Sequence, residues 1–415
     1  MSLLENKYIV LGVTGSVAAY KAVDLASKLT QAGAVVDVIM TASAQRFVAP
    51  ITFESVTGRP VYSDMWQTDH TDDLPTPIVH IGLGEEADLF VVAPVTANMI
   101  AKLAAGLADD LLSLTAISAR CPTVIAPAMD GGMYQHPATQ ANLATLRSRG
   151  VTVIEPEVGR FASGMTGKGR FPATPTLIGN IRQAIGRNGA LAGTTIVVTA
   201  GGTREPLDPV RYLTNYASGK QGHALAQAAV DVGADVILIS TTEVLPVPVG
   251  AQCVLVDSAR DMLAAVQRHL AGADALLMAS AVADFRPAEV KAQKIKKSAT
   301  PEEELTVVLT RNPDILLDVK QQRAESGWPR VVVGFAAESE NLLENAQAKL
   351  VKKGVDMMVA NDITAPDAGF QADTNRVIIL SADGSQEPLE LASKATISEL
   401  IIQRVATMLH GLPGS

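Results

Sequence analysis

The residues best placed to do chemistry lie in three stretches of the second half of the chain. Thr199–Gly222 reads T-A-G-G-T-R-E-P-L-D-P-V-R-Y-L-T-N-Y-A-S-G-K-Q-G; it follows the β-rich run Thr194–Val198 and leads into an amphipathic pattern from Lys220. In open α/β sheets, connections from strand to helix hold phosphate-bearing ligands on helix N-terminal amides. Connections this long, without secondary structure of their own, are usually functional. Downstream, Ala279–Arg286 (A-S-A-V-A-D-F-R) ends a strand with the carboxylate of Asp284, and Lys291–Lys297 (K-A-Q-K-I-K-K) is lysine-rich. A lysine run alone is usually a solvated surface. Beside a carboxylate at a strand end, it points to a nucleoside triphosphate with its metal. No G-x-x-x-x-G-K-[ST] is present, so the site is not a P-loop. In the first half, Y-I-V-L-G-V-T-G-S reads as strand, tight turn and helix start. There Gly12 and Gly15 let backbone amides approach a phosphate and Ser16 adds a hydroxyl. His80, in I-V-H-I-G-L, is of the residue type most often used as a general base.

The elements that must position these residues alternate. Tyr8–Val13 is a strand, Ser16–Gln31 a helix, Val35–Met40 and Asp88–Ala93 strands, residues 97–107 a helix, and Thr123–Ala126 a strand. The pattern restarts with a strand at Thr194–Thr199, a helix at Lys220–Val232 and a strand at Val236–Ser240. A helix at Arg260–Leu270 and strands at Ala275–Ala279 and Val331–Phe335 follow. A helix at Asn341–Lys353, a strand at Met357–Ala360, an edge strand at Val377–Leu380 and a closing helix at Lys394–Met408 complete the series. Such alternation predicts the α/β class: two Rossmann-like, three-layer domains with mostly parallel sheets. The Gly-containing break at Arg187–Gly193 sets the expected domains at residues 1–190 and 191–415.

The 415 residues suit two domains, and 47% apolar content supplies two cores. A net charge of −9 argues against a general nucleic-acid or membrane-surface binder. Two cysteines, Cys121 and Cys253, make neither a disulfide framework nor a four-ligand zinc site. The expected setting is a reducing cytoplasm.

The motifs of the second half, T-A-G-G-T-R-E-P-L-D-P-V-R-Y-L-T-N-Y-A-S-G-K, A-S-A-V-A-D-F-R and K-I-K-K, resemble the phosphopantothenate–cysteine ligase domain. Through Y-I-V-L-G-V-T-G-S, A-P-V-T-A-N and G-L-A-D-D-L-L, the first half resembles its usual fusion partner, the flavin-dependent phosphopantothenoylcysteine decarboxylase. The resemblance implies activation of 4′-phosphopantothenate by CTP with Mg²⁺. An acyl-cytidylate forms, and the cysteine amine displaces CMP. By the same resemblance Asn215 handles the acyl-cytidylate, Lys294 is a mobile lysine over the triphosphate, and Asp284 contacts the nucleotide. Further CTP contacts correspond to Ala279, Ser280, Pro313, Asp314, Ile315, Leu316, Phe335, Lys349 and Lys353. Phe335 is equally readable as core, and Lys349 with Lys353, at i, i+4 on one helix face, as a solvated face. No metal ligands are assigned.

For the first half, the resemblance implies FMN held by Gly15, Ser16, Thr41, Thr96 and Asn98, residue types that equally serve as caps and turns. It makes His80 the catalytic base and implies oxidation of the substrate thiol, loss of carbon dioxide, and reduction to 4′-phosphopantetheine. Two positions depart from the family pattern. Asp130, in P-A-M-D-G-G-M, stands where an asparagine contacts the substrate carboxylate. Ser163, in A-S-G-M-T-G-K-G-R, replaces a proton-donating cysteine; a hydroxyl is a far poorer acid than a thiol of pKa about 8.5. The expectation is a subgroup in which another acid, or serine through water, completes the reduction. The alternative is an active ligase fused to a flavin-binding, mainly oligomerising domain. A flavin prenyltransferase or peptidyl-cysteine decarboxylase is disfavoured by the fused ligase, and a plain dinucleotide oxidoreductase by the missing G-x-G-x-x-G. The resemblance further implies small-molecule substrates and a homo-oligomer with trimeric decarboxylase and dimeric ligase contacts, up to a dodecamer.

Overall fold

Runs of Val, Ile and Leu too continuous to alternate form the central strands, as strands covered on both faces must. The computed structural model describes residues 3–66, 74–160, 164–296, 305–338, 340–362 and 372–412. Its contacts divide the chain into two compact units, Met1–Gly186 and Arg187–Ser415.

The first unit holds β1 (Tyr8–Val13), β2 (Val35–Met40), β3 (Val61–Tyr62), β4 (Leu89–Val95), β5 (Thr123–Pro127) and β6 (Thr152–Val153). Their order is β3-β2-β1-β4-β5-β6, with every neighbouring pair parallel. Successive residues of one strand enter different cores. Ile9, Leu11 and Val13 pack with the helices Ala19–Gln31 and Thr174–Gly186. Val10 packs on the opposite face with the helices Val79–Glu86, Ala97–Ala105, Leu111–Ser118 and Pro137–Ser148. The expected helix from Ser16 begins at Ala19, because Ser16–Ala18 form the turn that leaves the strand. A separate antiparallel hairpin, β7 (Glu157–Arg160) and β8 (Thr166–Arg170), docks on the segment after β5, where Met129 N donates to Gly169 O at 3.0 Å.

The second unit repeats the plan with β9 (Thr195–Ala200), β12 (Asp235–Ser240), β13 (Ala251–Leu255), β14 (Ala275–Met278), β17 (Val331–Glu338) and β18 (Met357–Asp362). Two further strands, β19 (Thr374–Ser381) and β20 (Gln386–Ser393), extend the sheet. The order is β13-β12-β9-β14-β17-β18-β19-β20, parallel except for the pairs β18–β19 and β19–β20. The expectation that Val377–Leu380 forms an edge is corrected: β19 is interior, and β20 covers it. β20 is polar and mostly exposed, so its sequence carries no apolar run to announce it. The Thr199–Gly222 connection is also corrected. It contains its own hairpin, β10 (Arg204–Pro206) with β11 (Tyr212–Thr214), and a second hairpin, β15 (Phe285–Pro287) with β16 (Leu309–Arg311), follows β14. The stretch read as a linker belongs to this unit. Leu191 is buried, and its N–H donates to Val232 O at 2.8 Å.

Each sheet reverses its strand order once, between β1 and β4 and between β9 and β14. Beyond the carboxyl ends of such strand pairs lies the crevice in which open α/β sheets bind ligands.

Candidate active sites

In the first unit, the crevice edge is built by Thr14, which the sequence did not flag. Its buried hydroxyl donates to Pro94 O at 2.8 Å and accepts from Thr96 N at 3.0 Å, tying the end of β1 to the end of β4. The five residues expected to hold a flavin fall at the ends of three adjacent strands. Gly15 and Ser16 follow β1, Thr41 follows β2, and Thr96 and Asn98 follow β4. Gly15 is glycine for a different reason than phosphate approach alone: a Cβ there would lie 2.4 Å from Ser43 Cβ, so it lets the β1 and β2 loops touch. At Gly12, a Cβ would lie 2.3 Å from Leu112 Cδ1, which makes that glycine a packing residue. Several hydroxyls are caps, as their residue types allow. Ser16 Oγ accepts from Ala18 N at 3.2 Å, Thr41 Oγ1 from Ala44 N at 3.2 Å, and Thr96 Oγ1 from Met99 N at 3.3 Å. The helix Ala19–Gln31 itself begins without a side-chain cap. Two of its first-turn amides are paired within the preceding turn: Ala19 N donates to Ser16 O and Lys21 N to Ala18 O, both at 2.9 Å.

His80 sits in the first turn of the helix Val79–Glu86, which runs back against the sheet before β4. Ser118 Oγ donates to His80 O at 2.7 Å and fixes that turn. The G-L-A-D-D-L-L stretch has a structural role. Asp110 caps the helix Leu111–Ser118, accepting from Ser113 N at 2.8 Å, while Lys102 bridges Asp109 and Asp110 at 2.6 Å each. Burial raises the Asp110 pKa, but Lys102 and Ser113 outweigh it and hold the carboxyl below its ordinary value.

Asp130 N-caps the short helix Gly131–Gln135, its Oδ1 accepting from Gly132 N at 2.9 Å. Aspartate and asparagine cap equally well, so this backbone contact does not require the carboxylate. Below it, Glu155 gathers Tyr134, Arg147 and Lys168; Tyr134 Oη donates to it at 2.9 Å. Ser163 lies outside the described residues. Neither cysteine is a ready acid. Burial pushes the Cys121 thiol up to about 11 and raises Cys253 as well.

The second unit encloses a cavity of about 900 Å³ at its switch point. Its base is stitched across the gap between β9 and β14. Thr199 Oγ1 donates to Ser280 Oγ at 2.9 Å and accepts from Ser280 N at 3.1 Å. Thr203, fully buried, accepts from Ala283 N at 2.9 Å. These bonds carry the strand pairing past the sheet proper and hold residues 279–284 as a wall. Asn215 is pinned to that wall: its Nδ2 donates to Val282 O at 3.2 Å and to Ala281 O at 3.5 Å, leaving Oδ1 as its acceptor. Asp284 lines the cavity and is solvent-exposed. Asn312 secures the opposite lip by donating to Ala283 O at 2.8 Å.

Ala279, Ser280, Pro313, Asp314, Ile315, Leu316, Phe335, Lys349 and Lys353 all line the same cavity. Phe335 also packs against the core. Asp314 caps the helix Ile315–Ser326 and pairs with Lys353, so those two residues neutralise each other. Lys294 is not in the cavity wall. Its segment is laid along the turn of the β10–β11 hairpin. Ile295 N donates to Asp208 Oδ2 at 3.0 Å, Arg211 Nη2 to Ile295 O at 3.0 Å, and Lys291 N to Leu207 O at 3.0 Å. Backbone N–H groups from Ile295, Val210 and Arg211 hold the Asp208 carboxyl below its ordinary value. Sequence reasoning also missed Ser218, Gln221, Asn375 and Lys394, which complete the cavity. Among the described residues, no cluster of three or more His, Cys, Asp or Glu side chains is arranged to hold a metal ion, and no helix is long and apolar enough to cross a membrane.

Two family models cover the chain: a flavoprotein domain over residues 2–186, and the DNA/pantothenate metabolism flavoprotein C-terminal domain over residues 191–409. The coenzyme A biosynthesis bifunctional protein CoaBC of Mycobacterium tuberculosis is 44% identical, over 98% of this chain and 97% of its own. The chain belongs to the CoaBC family. The CoaBC protein of Bacillus subtilis is 43% identical over 98% of each chain. A crystal structure of a CoaBC C-terminal domain is 36% identical, covering 54% of this chain and 98% of that one, with a TM-score of 0.45. As a CoaBC-family member, the chain is a bifunctional enzyme of coenzyme A biosynthesis, with a flavoprotein decarboxylase half and a ligase half.

Proposed function

We propose that the second unit joins 4′-phosphopantothenate to cysteine through an acyl-cytidylate made from CTP, and that the first unit decarboxylates the product to 4′-phosphopantetheine with FMN. The observation that carries this reading is the convergence of Asn215, Asp284, the 312–316 turn and Lys349 on one cavity at a sheet switch point. Those residues come from four separate segments of the sequence. Asn215, fixed by Val282 and Ala281, presents its amide oxygen to the reacting groups without adding charge. Lys349 and Lys352 supply positive charge for the nucleotide, and Lys294 closes over it from the hairpin. The exposed carboxylate of Asp284 suits Mg²⁺ carried in by the phosphates, since that ion is commonly held by one or two carboxylates plus substrate oxygens.

In the first unit, the uncapped helix at Ala19 and the hydroxyls of Ser16, Thr41 and Thr96 fit a phosphate-bearing flavin across three strand ends. Bound there, FMN would supply the two-electron oxidation of the thiol and its return. His80 takes the substrate proton, and Asp130 and the segment of Ser163 complete the substrate end. Assembly into trimers and dimers is supported by exposed Tyr20, Phe47 and Ile51 in the first unit, and by exposed Val210, Tyr212, Tyr216 and Phe285 in the second. The test is to supply 4′-phosphopantothenate, cysteine, CTP and Mg²⁺ and identify the products. CMP, pyrophosphate, carbon dioxide and phosphopantetheine are expected. CMP and pyrophosphate without carbon dioxide would leave only the ligase half of the reading.

A further inference from the structure

Glu155 is held by the sheet of the first unit and holds two elements that lie outside that sheet. It stands two residues past β6, and Ile154 before it is buried and donates its N–H to Ile125 O at 2.9 Å. Its half-exposed carboxylate is shared by groups from three other elements. Tyr134 Oη, on the helix Gly131–Gln135, donates to Oε2 at 2.9 Å. Lys168 Nζ, on β8, lies 2.5 Å from the same oxygen, and Arg147 Nη2, on the helix Pro137–Ser148, lies 2.5 Å from Oε1. The Lys168 ammonium also stands 5.7 Å from the centre of the Tyr134 ring.

Two of those elements cannot place themselves. Gly131–Gln135 is barely more than one turn, too short to persist alone, and a lone two-stranded hairpin is marginal in water. The hairpin forms its own sheet, apart from the six-stranded one. The two elements meet at a tight contact. Met129 N donates to Gly169 O at 3.0 Å, and a Cβ on Gly169 would lie 2.3 Å from Met129 O. Asp130 is the next residue. Its carbonyl accepts from Tyr134 N at 2.9 Å, so Asp130 and Tyr134 bracket a single turn, and whatever fixes one fixes the other. Tyr134 is buried; its carbonyl accepts from Gln140 Nε2 at 2.6 Å, and its hydroxyl ends on Glu155. Burial raises the Glu155 pKa, but Lys168, Tyr134 and Arg147 outweigh it and hold the carboxyl below its ordinary value. All three bonds are therefore made to a charged acceptor at neutral pH. Ion pairs this exposed add little to stability. What this cluster fixes is geometry.

We infer that Glu155 is a positioning residue of the decarboxylase half: it joins β8 to the short helix that Asp130 begins, and so sets where Asp130 meets the substrate. The inference rests on the decarboxylase reading above. Glu155 acts through Tyr134 and Lys168 and not on the substrate itself. Asp130 is an acid beside the acid end of a substrate, and the force between two such groups changes steeply with their separation. A misplacement of about 1 Å, caused far from the reacting atoms, can cost about a hundredfold in rate. The sheet supplies the fixed point, Glu155 carries it outward, and the one-turn helix receives it through a buried hydroxyl.

The experiment compares the full chain, loaded with FMN, with Glu155→Gln, Lys168→Met and the double variant in the decarboxylation of supplied phosphopantothenoylcysteine. Flavin content, melting temperature and the ligation of phosphopantothenate to cysteine are read on the same samples. Per bound flavin, Glu155→Gln should lower kcat/KM for carbon dioxide release about tenfold, chiefly through KM. Flavin content and melting temperature should match the parent, and ligation should stay within about twofold. The double variant should be no worse than the poorer single one, because both changes cut the same joint. A parent-like kcat/KM in Glu155→Gln, or losses that simply add in the double variant, overturns the inference. So does a loss that vanishes when activity is divided by bound flavin, since that marks a purely structural role. If Glu155→Gln does not fold, Tyr134→Phe, which removes only the hydroxyl, decides by the same readout. A parent that releases carbon dioxide while the variants keep its kcat/KM refutes this inference alone. A parent that releases none refutes the decarboxylase reading as well.

Discussion

In the first unit one buried hydroxyl, Thr14, spans the gap between β1 and β4. In the second, the corresponding gap is closed by Thr199 with Ser280 and by Thr203 with Ala283. Both units have the same strand order around the gap, and in both the helix after the first strand starts without a side-chain cap. What differs is what stands above it. The first unit leaves loops without hairpins at three strand ends. The second extends both strands beyond the sheet, adds two hairpins and encloses a chamber. One topology thus serves a resident planar cofactor and a transient pair of charged substrates, and the loops alone make the difference.

That contrast can be broken in order of expected effect. His80→Asn should reduce carbon dioxide release by about a hundredfold or more, the usual range for losing a general base, while CMP formation continues. A parallel loss in both reactions would show that the two sites are not separable. Asn215→Ala should do the reverse, cutting ligation about a hundredfold, as for removal of one transition-state contact, with decarboxylation of supplied phosphopantothenoylcysteine intact. If that variant ligates at the parent rate, the hairpin loop has been given the wrong role. Incubated anaerobically with phosphopantothenoylcysteine, the parent should yield phosphopantetheine. A product two hydrogens lighter, read by mass, would mean that the Ser163 segment cannot finish the reduction.

Thr203→Val removes a buried acceptor from Ala283 N and should cost about 1–3 kcal/mol in the urea transition of the second unit. The same change at exposed Thr407, whose hydroxyl only bonds back to Gln403 O within its own helix, should cost far less. The smallest effect concerns His223, buried between Pro246 O at 3.2 Å and Ser240 Oγ at 3.3 Å. Burial lowers its pKa, so the folded state binds its proton less readily than the unfolded chain. Stability from this residue is therefore full above the ordinary histidine value of about 6.5 and declines as pH falls through that value toward the folded one. His223→Gln should flatten that decline in melting curves taken between neutral and mildly acid pH.

The central parallel strands were legible because each is a continuous apolar run, and Val35–Met40 matches its expected limits to the residue, whereas the short or mixed strands Val61–Tyr62, Thr152–Val153 and Ala251–Leu255 were not read. The interior position of β19 was hidden, because the strand that covers it, Gln386–Ser393, is polar and half-exposed. The β10–β11 hairpin was hidden for a related reason: Tyr212–Thr214 is exposed throughout and buries no alternating face. Motif residues such as Asp284 were readable from local context, whereas Thr14 acts through Pro94 and Thr96, far away in the chain. Lys353 and Asp314, both read as ligand contacts, turn out to be each other's partners. No single stretch of sequence contains that information.

The segment joining the two halves has a practical consequence. Leu191 is fully buried and its amide is bonded to Val232 O, so the first few residues after Gly186 are an outer stave of the second unit. Severing the chain just after Gly186 should therefore release a ligase half that keeps its own wall. Severing it at Gly193 would expose the foot of the Lys220–Asp231 helix, the helix whose other end helps to frame the cavity. A separately produced second half that begins at 187 is thus expected to melt at a higher temperature than one that begins at 193.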